Sequence, residues 1–215
     1  MKKDIEIIKP KDIEKRSFEI IQEELDRRVI SIDEETSFVT KRVIHTTADF
    51  EYAKTLKFSN KAIDIAESLL KDGADIVTDT NMGLSGINKK VLESLGGSVH
   101  CFMADESVAK EAAERGVTRA TVSMERAAKI KKPVIFAIGN APTALISIYE
   151  MMQQTGWKPD FVIGVPVGFV NVEAAKELFL ETDIPYIINI GRKGGSNVAA
   201  AICNALLYDI KKERA

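Results

Sequence analysis

Pro133-Val134-Ile135-Phe136-Ala137-Ile138-Gly139-Asn140-Ala141-Pro142-Thr143-Ala144 is the stretch on which the fold turns. A short apolar run reads as a strand over 133–138, and Gly139-Asn140 end it. Pro142 falls at the first position of a helix, where its missing N–H costs nothing, with Asn140 or Ala141 in the cap region. A helical pattern continues over 142–155. Strand, polar or glycine turn and helix recur outward from this unit. Further strands are predicted over 54–58, 75–78, 98–103, 161–165 and 186–190, with helices over 60–71, 85–95, 106–115, 121–130, 172–180 and 197–211. Two more helical patterns, over 11–25 and 36–47, precede them. Such alternation points to an α/β fold: three layers, α/β/α, around a mostly parallel central sheet, with an N-terminal helical segment. No repeat or linker divides the chain, so residues 1–215 are expected to form one domain.

Several strands run into Gly, Asp or Asn, and open α/β sheets bind ligands at the carboxyl ends of their strands. The turns after them are therefore expected to share one crevice. Ile190-Gly191-Arg192-Lys193-Gly194-Gly195-Ser196-Asn197 is the most chemically suggestive of these turns. Two cations flank a Gly194-Gly195 pair that lets backbone N–H groups approach a ligand, and Ser196 or Asn197 can cap the next helix. An anion fits such a turn; carboxylate and phosphate are equally compatible with the residues. Thr78-Asp79-Thr80-Asn81-Met82-Gly83-Leu84-Ser85-Gly86-Ile87 reads as a second ligand-facing turn, and Asn140 and Thr143 would present polar groups to the same crevice. Arg16-Ser17 and Thr118-Arg119 pair a cation with a hydroxyl. His45 lies near the end of its predicted helix, where it could exchange a proton near neutral pH, with Asp49 four residues on as a group to orient it. His100 alternates with apolar neighbours in a predicted strand and reads as structural.

Other classes are disfavoured. The 30 basic and 32 acidic residues nearly cancel and form no long basic run, which argues against a nucleic-acid surface. Cys101 and Cys203 stand far apart with no metal-ligand spacing, so no zinc site or disulfide is expected. The dinucleotide fingerprint and the P-loop are both absent, which counts against a nucleotide-dependent oxidoreductase. A charged start without a signal-peptide core, and no apolar run approaching about 18 residues, lead to the expectation of a cytoplasmic protein outside the membrane.

The chain resembles the precorrin-8X methylmutase, or cobalt-precorrin-8 methylmutase, family nearly end to end. The resemblance is carried by Ile13-Glu14-Lys15-Arg16-Ser17-Phe18, Arg42-Val43-Ile44-His45, Asp79 with Met82 and Gly86-Ile87, and Thr118-Arg119. It continues through residues 139–144, Gly164-Val165-Pro166-Val167-Gly168-Phe169-Val170 and Gly191-Arg192-Lys193-Gly194-Gly195-Ser196. It implies an isomerase of corrin biosynthesis that moves a methyl group from C-11 to C-12 of a tetrapyrrole, giving hydrogenobyrinate or cobyrinate. It implies no cofactor, cobalt entering only within the substrate, and a homodimer with the active site near the subunit interface. His45 matches the family's active-site histidine. Arg16, Ser17, Arg119, Arg192 and Lys193 become candidates for gripping the substrate's carboxylate arms, with Asp79, Met82, Asn140, Thr143, Gly194, Gly195 and Ser196 around them. The sequence departs from the family pattern at Ala174-Ala175-Lys176, where the acid stands one position early as Glu173, and at Ile190, where arginine is common. A non-catalytic corrinoid carrier would share the cationic crevice but would not need His45 for any rate.

Overall fold

A computed structural model describes residues 6–213. In chain order the regular helices are α1 (Ile13–Arg27), α2 (Ser37–Thr47), α3 (Tyr52–Thr55), α4 (Ala62–Lys71), α5 (Asn81–Gly86), α6 (Lys89–Ser94), α7 (Glu106–Arg115), α8 (Arg119–Ala127), α9 (Pro142–Thr155), α10 (Val172–Glu177) and α11 (Ser196–Glu213). The strands are β1 (Leu56–Phe58), β2 (Asp75–Thr78), β3 (Val99–His100), β4 (Val134–Ile138), β5 (Phe161–Gly164) and β6 (Tyr186–Asn189), arranged β1-β6-β5-β4-β2-β3. All neighbours run parallel except β1, which lies antiparallel against β6. The expected mostly parallel α/β sheet is therefore present.

Alternate residues of the central strands feed two cores. Ile76, Ile135, Ala137, Ile163 and Ile187 join the core shared with α1, α2, α4 and α11. Val77, Phe136, Ile138, Val162 and Ile188 join the core shared with α8, α9 and α10. Because both faces are covered, the central strands do not alternate apolar and polar residues, and the buried polar Asp75, Thr78 and Asn189 stand at strand ends. β2 and β4 are adjacent, yet the chain leaves β2 toward the first face and β4 toward the second. They form the topological switch point of the sheet, the place where a crevice is expected.

Four local differences from the sequence reading have physical causes. The predicted strand over 54–58 opens instead as the short helix α3, because Asp49 accepts the Glu51 N–H at 2.9 Å and turns the chain first. The strand over 98–103 shortens to β3, an edge element paired only with β2. The turn over 78–87 contains α5, whose N-cap Thr80 accepts the Gly83 N–H. The helix over 85–95 breaks after Gly86, and Asn88 caps a fresh start at α6.

Candidate functional site

The carboxyl ends of β2, β4, β5 and β6 all face one end of the sheet, and side chains tie their loops together there. Asp79, at the end of β2, is only 2% exposed. Its carboxylate accepts N–H groups from Gly139 at 2.9 Å, Asn140 at 2.8 Å and Ala141, bridging the switch point. Burial pushes its pKa up, and the three N–H donors oppose that rise. Asp79 thus binds the loop after β4, not solvent. Gly139 is packed so closely that a Cβ there would lie 2.7 Å from the Ser196 Cα. Thr80 Oγ1 meets Ser196 Oγ at 2.7 Å, joining the loop after β2 to the first residue of α11. Gly194 approaches the Val165 carbonyl, 2.0 Å from where its Cβ would stand, and the Gly195 N–H donates to that carbonyl at 2.9 Å.

The Arg192-Lys193 pair is held on both sides. Arg192 donates through Nε to Glu173 at 2.7 Å, and its guanidinium lies 5.6 Å from the centre of the Phe169 ring. Lys193 Nζ bonds Asp49 and Glu51, which hold its pKa above the ordinary lysine range. This contact corrects the expectation that Asp49 orients His45. Ala48 adopts a left-handed conformation with φ 54° and ends α2, so Asp49 leaves the helix and turns to Lys193. His45 is exposed in the last turn of α2. The imidazole instead meets the Phe18 ring, with centroids 5.4 Å apart.

The remaining candidates divide between near and far positions. Asn140 and Thr143 flank the start of α9, and Met82 on α5 is 71% exposed. Arg119 opens α8, is exposed, and makes no ion pair among the described residues. Two residues on, Thr121 bonds Ser147 near the beginning of α9. Arg16 and Ser17 lie on α1: Arg16 pairs with Glu6, Glu19 and Glu23, and the Ser17 hydroxyl returns to the Ile13 carbonyl. Their neighbour Phe18 is the one that meets His45. On the helical face next to them is a groove of about 810 Å³ between α1, α2 and α11, lined by Phe18, Lys15, Lys41, Arg42, Tyr208 and Lys212 among others. Arg42 lies 4.8 Å from the Phe18 ring centre and 5.4 Å from that of Tyr208, one turn from His45 along α2. Sequence reasoning passed over this groove, although Arg42 and Lys41 stand three and four residues before His45 and so share its helix face.

Lys176, met in the sequence only as part of a departure from the family pattern, has a fully buried side chain that bonds two carbonyls of the loop over 191–193. Apolar residues complete this end of the sheet. Val167, Phe169 and Val170 are 47%, 81% and 77% exposed on the loop after β5. Cationic and N–H groups beside exposed apolar side chains suit a ligand with a greasy body and carboxylate arms. Both cysteines are free, and no cluster of three or more His, Cys, Asp or Glu residues could hold a metal among the described residues.

Comparison with known proteins agrees with this geometry. A family model described as precorrin-8X methylmutase matches residues 12–209. The cobalt-precorrin-8 methylmutase of Leptospira interrogans is 43% identical over 205 residues, covering 92% of each chain. That of Salmonella typhimurium is 42% identical, covering 96% of this chain and 98% of its own. The crystal structure of precorrin-8X methylmutase from Thermus thermophilus superposes with a TM-score of 0.83 at 33% identity, covering 95% of this chain and all of that one. With the family model spanning nearly all the described residues, the chain belongs to the precorrin-8X methylmutase family.

Proposed function

We propose that this chain is an isomerase of cobalamin biosynthesis that moves a methyl group from C-11 to C-12 of precorrin-8X or its cobalt form. The observation that carries the reading is the coupling, through Asp49 and Lys193, of the helix bearing an exposed His45 to the glycine-rich cationic loop. The methyl group migrates within one macrocycle, breaking one carbon–carbon bond and forming another, so no external methyl donor is needed. His45 acts as the acid that protonates or hydrogen-bonds the conjugated ring. Arg119, Arg192 and Lys193 grip carboxylate arms; the last two exchange their present acidic partners for substrate. Each two-pronged contact contributes about 1.5 to 3 kcal/mol and also fixes one conformer of a flexible ring. The protein uses no cofactor of its own, since cobalt, where present, is held by the macrocycle. The enzyme acts in the cytoplasm as a homodimer, with the exposed apolar loop after β5 at the subunit contact. No helix is long and apolar enough to cross a membrane among the described residues.

The test is an absorbance assay of wild type and His45→Ala with precorrin-8X and its cobalt form. Conversion by wild type, with a loss of about a hundredfold or more in the variant and product binding retained, is the expected result. An unchanged turnover rate in His45→Ala would remove the acid from His45. Binding without conversion of either substrate would make the protein a carrier.

A further inference from the structure

Lys176 has 0% exposure and no carboxylate bonded to it among the described residues. Its Nζ donates to the carbonyl of Gly191 at 2.7 Å and that of Lys193 at 2.8 Å. Asn189 Nδ2 donates to the same Lys193 carbonyl at 2.9 Å. A buried ammonium without a counter-ion is costly, so its retention calls for a cause. In a trans peptide the C=O and the following N–H point to opposite sides. Drawing the carbonyls of Gly191 and Lys193 inward turns the N–H groups of Arg192 and Gly194 outward. Neither N–H finds an acceptor among the described residues. Two outward N–H groups over a buried cation form a cradle for an anion.

We propose that Lys176 is a positioning residue of the substrate-binding loop, a fixed positive charge that aims the Arg192 and Gly194 N–H groups at one carboxylate arm of the macrocycle. This deepens the tetrapyrrole reading given above and rests on it. Glu173 on the same helix acts on the Lys176 charge, and itself binds Arg192. The loop brings Arg192 and Lys193, the latter paired with Asp49 and Glu51; β6 brings the neutral Asn189; α9, packed on α10, carries Tyr149 and the exposed Glu150. Burial outweighs the Glu173 charge and lowers the lysine from 10.5 to about 8. A neutral amine still has two N–H donors, enough for both carbonyls. Deprotonation therefore removes the charge and keeps the loop's shape.

Affinity and stability should then respond to pH in opposite directions. Between about pH 8 and 10.5 the unfolded chain binds more protons than the folded one, so stability gains from Lys176 as pH rises. Over the same interval, binding of the carboxylate weakens. The experiment measures the Kd for hydrogenobyrinate by absorbance titration from pH 6.5 to 9.5, with thermal unfolding alongside, for wild type, Lys176→Met and Lys176→Arg. Wild type is expected to lose about tenfold in affinity across pH 8, as befits one charge-assisted contact. Lys176→Met, which loses the charge and both carbonyl bonds, should bind at or below that weaker level with no change across pH 8, and Lys176→Arg should bind tightly throughout. Wild-type affinity that is flat across pH 8, or Lys176→Met titrating like wild type, overturns the proposal while leaving the tetrapyrrole reading intact. Should neither variant fold, the wild-type titration decides alone. Wild type that binds no hydrogenobyrinate at any pH overturns both.

Discussion

Removing the Asp79 carboxylate would strand the N–H groups of Gly139, Asn140 and Ala141 at the switch point of the sheet. Asp79→Ala is expected to lower the unfolding free energy by about 3 kcal/mol or more, measured by urea denaturation, because buried donors without acceptors carry their full desolvation cost. Asp79→Asn, which keeps one acceptor oxygen, should lose less. The role of Asp79 was only half legible from sequence. Its place at a strand end marked it as belonging to the crevice, but nothing local shows that its oxygens are taken by backbone some 60 residues away. His45 was legible in its place near the end of a helix, because helical position is a property of a short segment. Its supposed partner Asp49 was not, because the left-handed turn at Ala48 breaks the spacing that made the pair look adjacent.

At the scale of elements, glycine decides how closely the loops approach. Gly139→Ala would drive a Cβ into backbone atoms of Gly195 and Ser196, 2.7 to 2.8 Å away, where no flexible side chain can yield. Its expected cost is about 1 to 3 kcal/mol in stability, as for other overpacked sites, together with a raised KM from displacement of the loop before α11. A raised KM with unchanged thermal stability would show that the loops separate freely. The strand and helix sequence was readable because β4 and β5 are buried on both faces and appear as unbroken apolar runs, and β6 carries the apolar Ile187-Ile188 pair at its centre. The edge elements were less so. β1 and β3 each have one neighbour, so three and two residues suffice, and flanking apolar residues such as Tyr52 serve a helix instead. The burial of Lys176 was not legible, since a lysine in an amphipathic helix ordinarily faces water.

For the whole molecule, the exposed apolar residues Val167, Phe169 and Val170 at the functional end predict association of two chains. Sedimentation equilibrium should show a dimer for wild type, and Phe169→Asp should shift it toward monomer with at least a tenfold weaker dimerisation constant, since a desolvated carboxylate is costly to bury. A monomeric wild type at micromolar concentration would oppose the dimer. Another consequence lies in α11. This helix is buried on nearly every side, with Val198, Ile202, Leu206, Leu207 and Ile210 in the first core, and it packs against α2, α4, α5 and α6 as well as β4 and β5. During synthesis on the ribosome, residues 6–195 can therefore form their local helices yet cannot close that core until residues 196–213 have emerged. The nascent chain exposes the underside of four helices and two strands for that interval, and it is then that chaperones have most to cover.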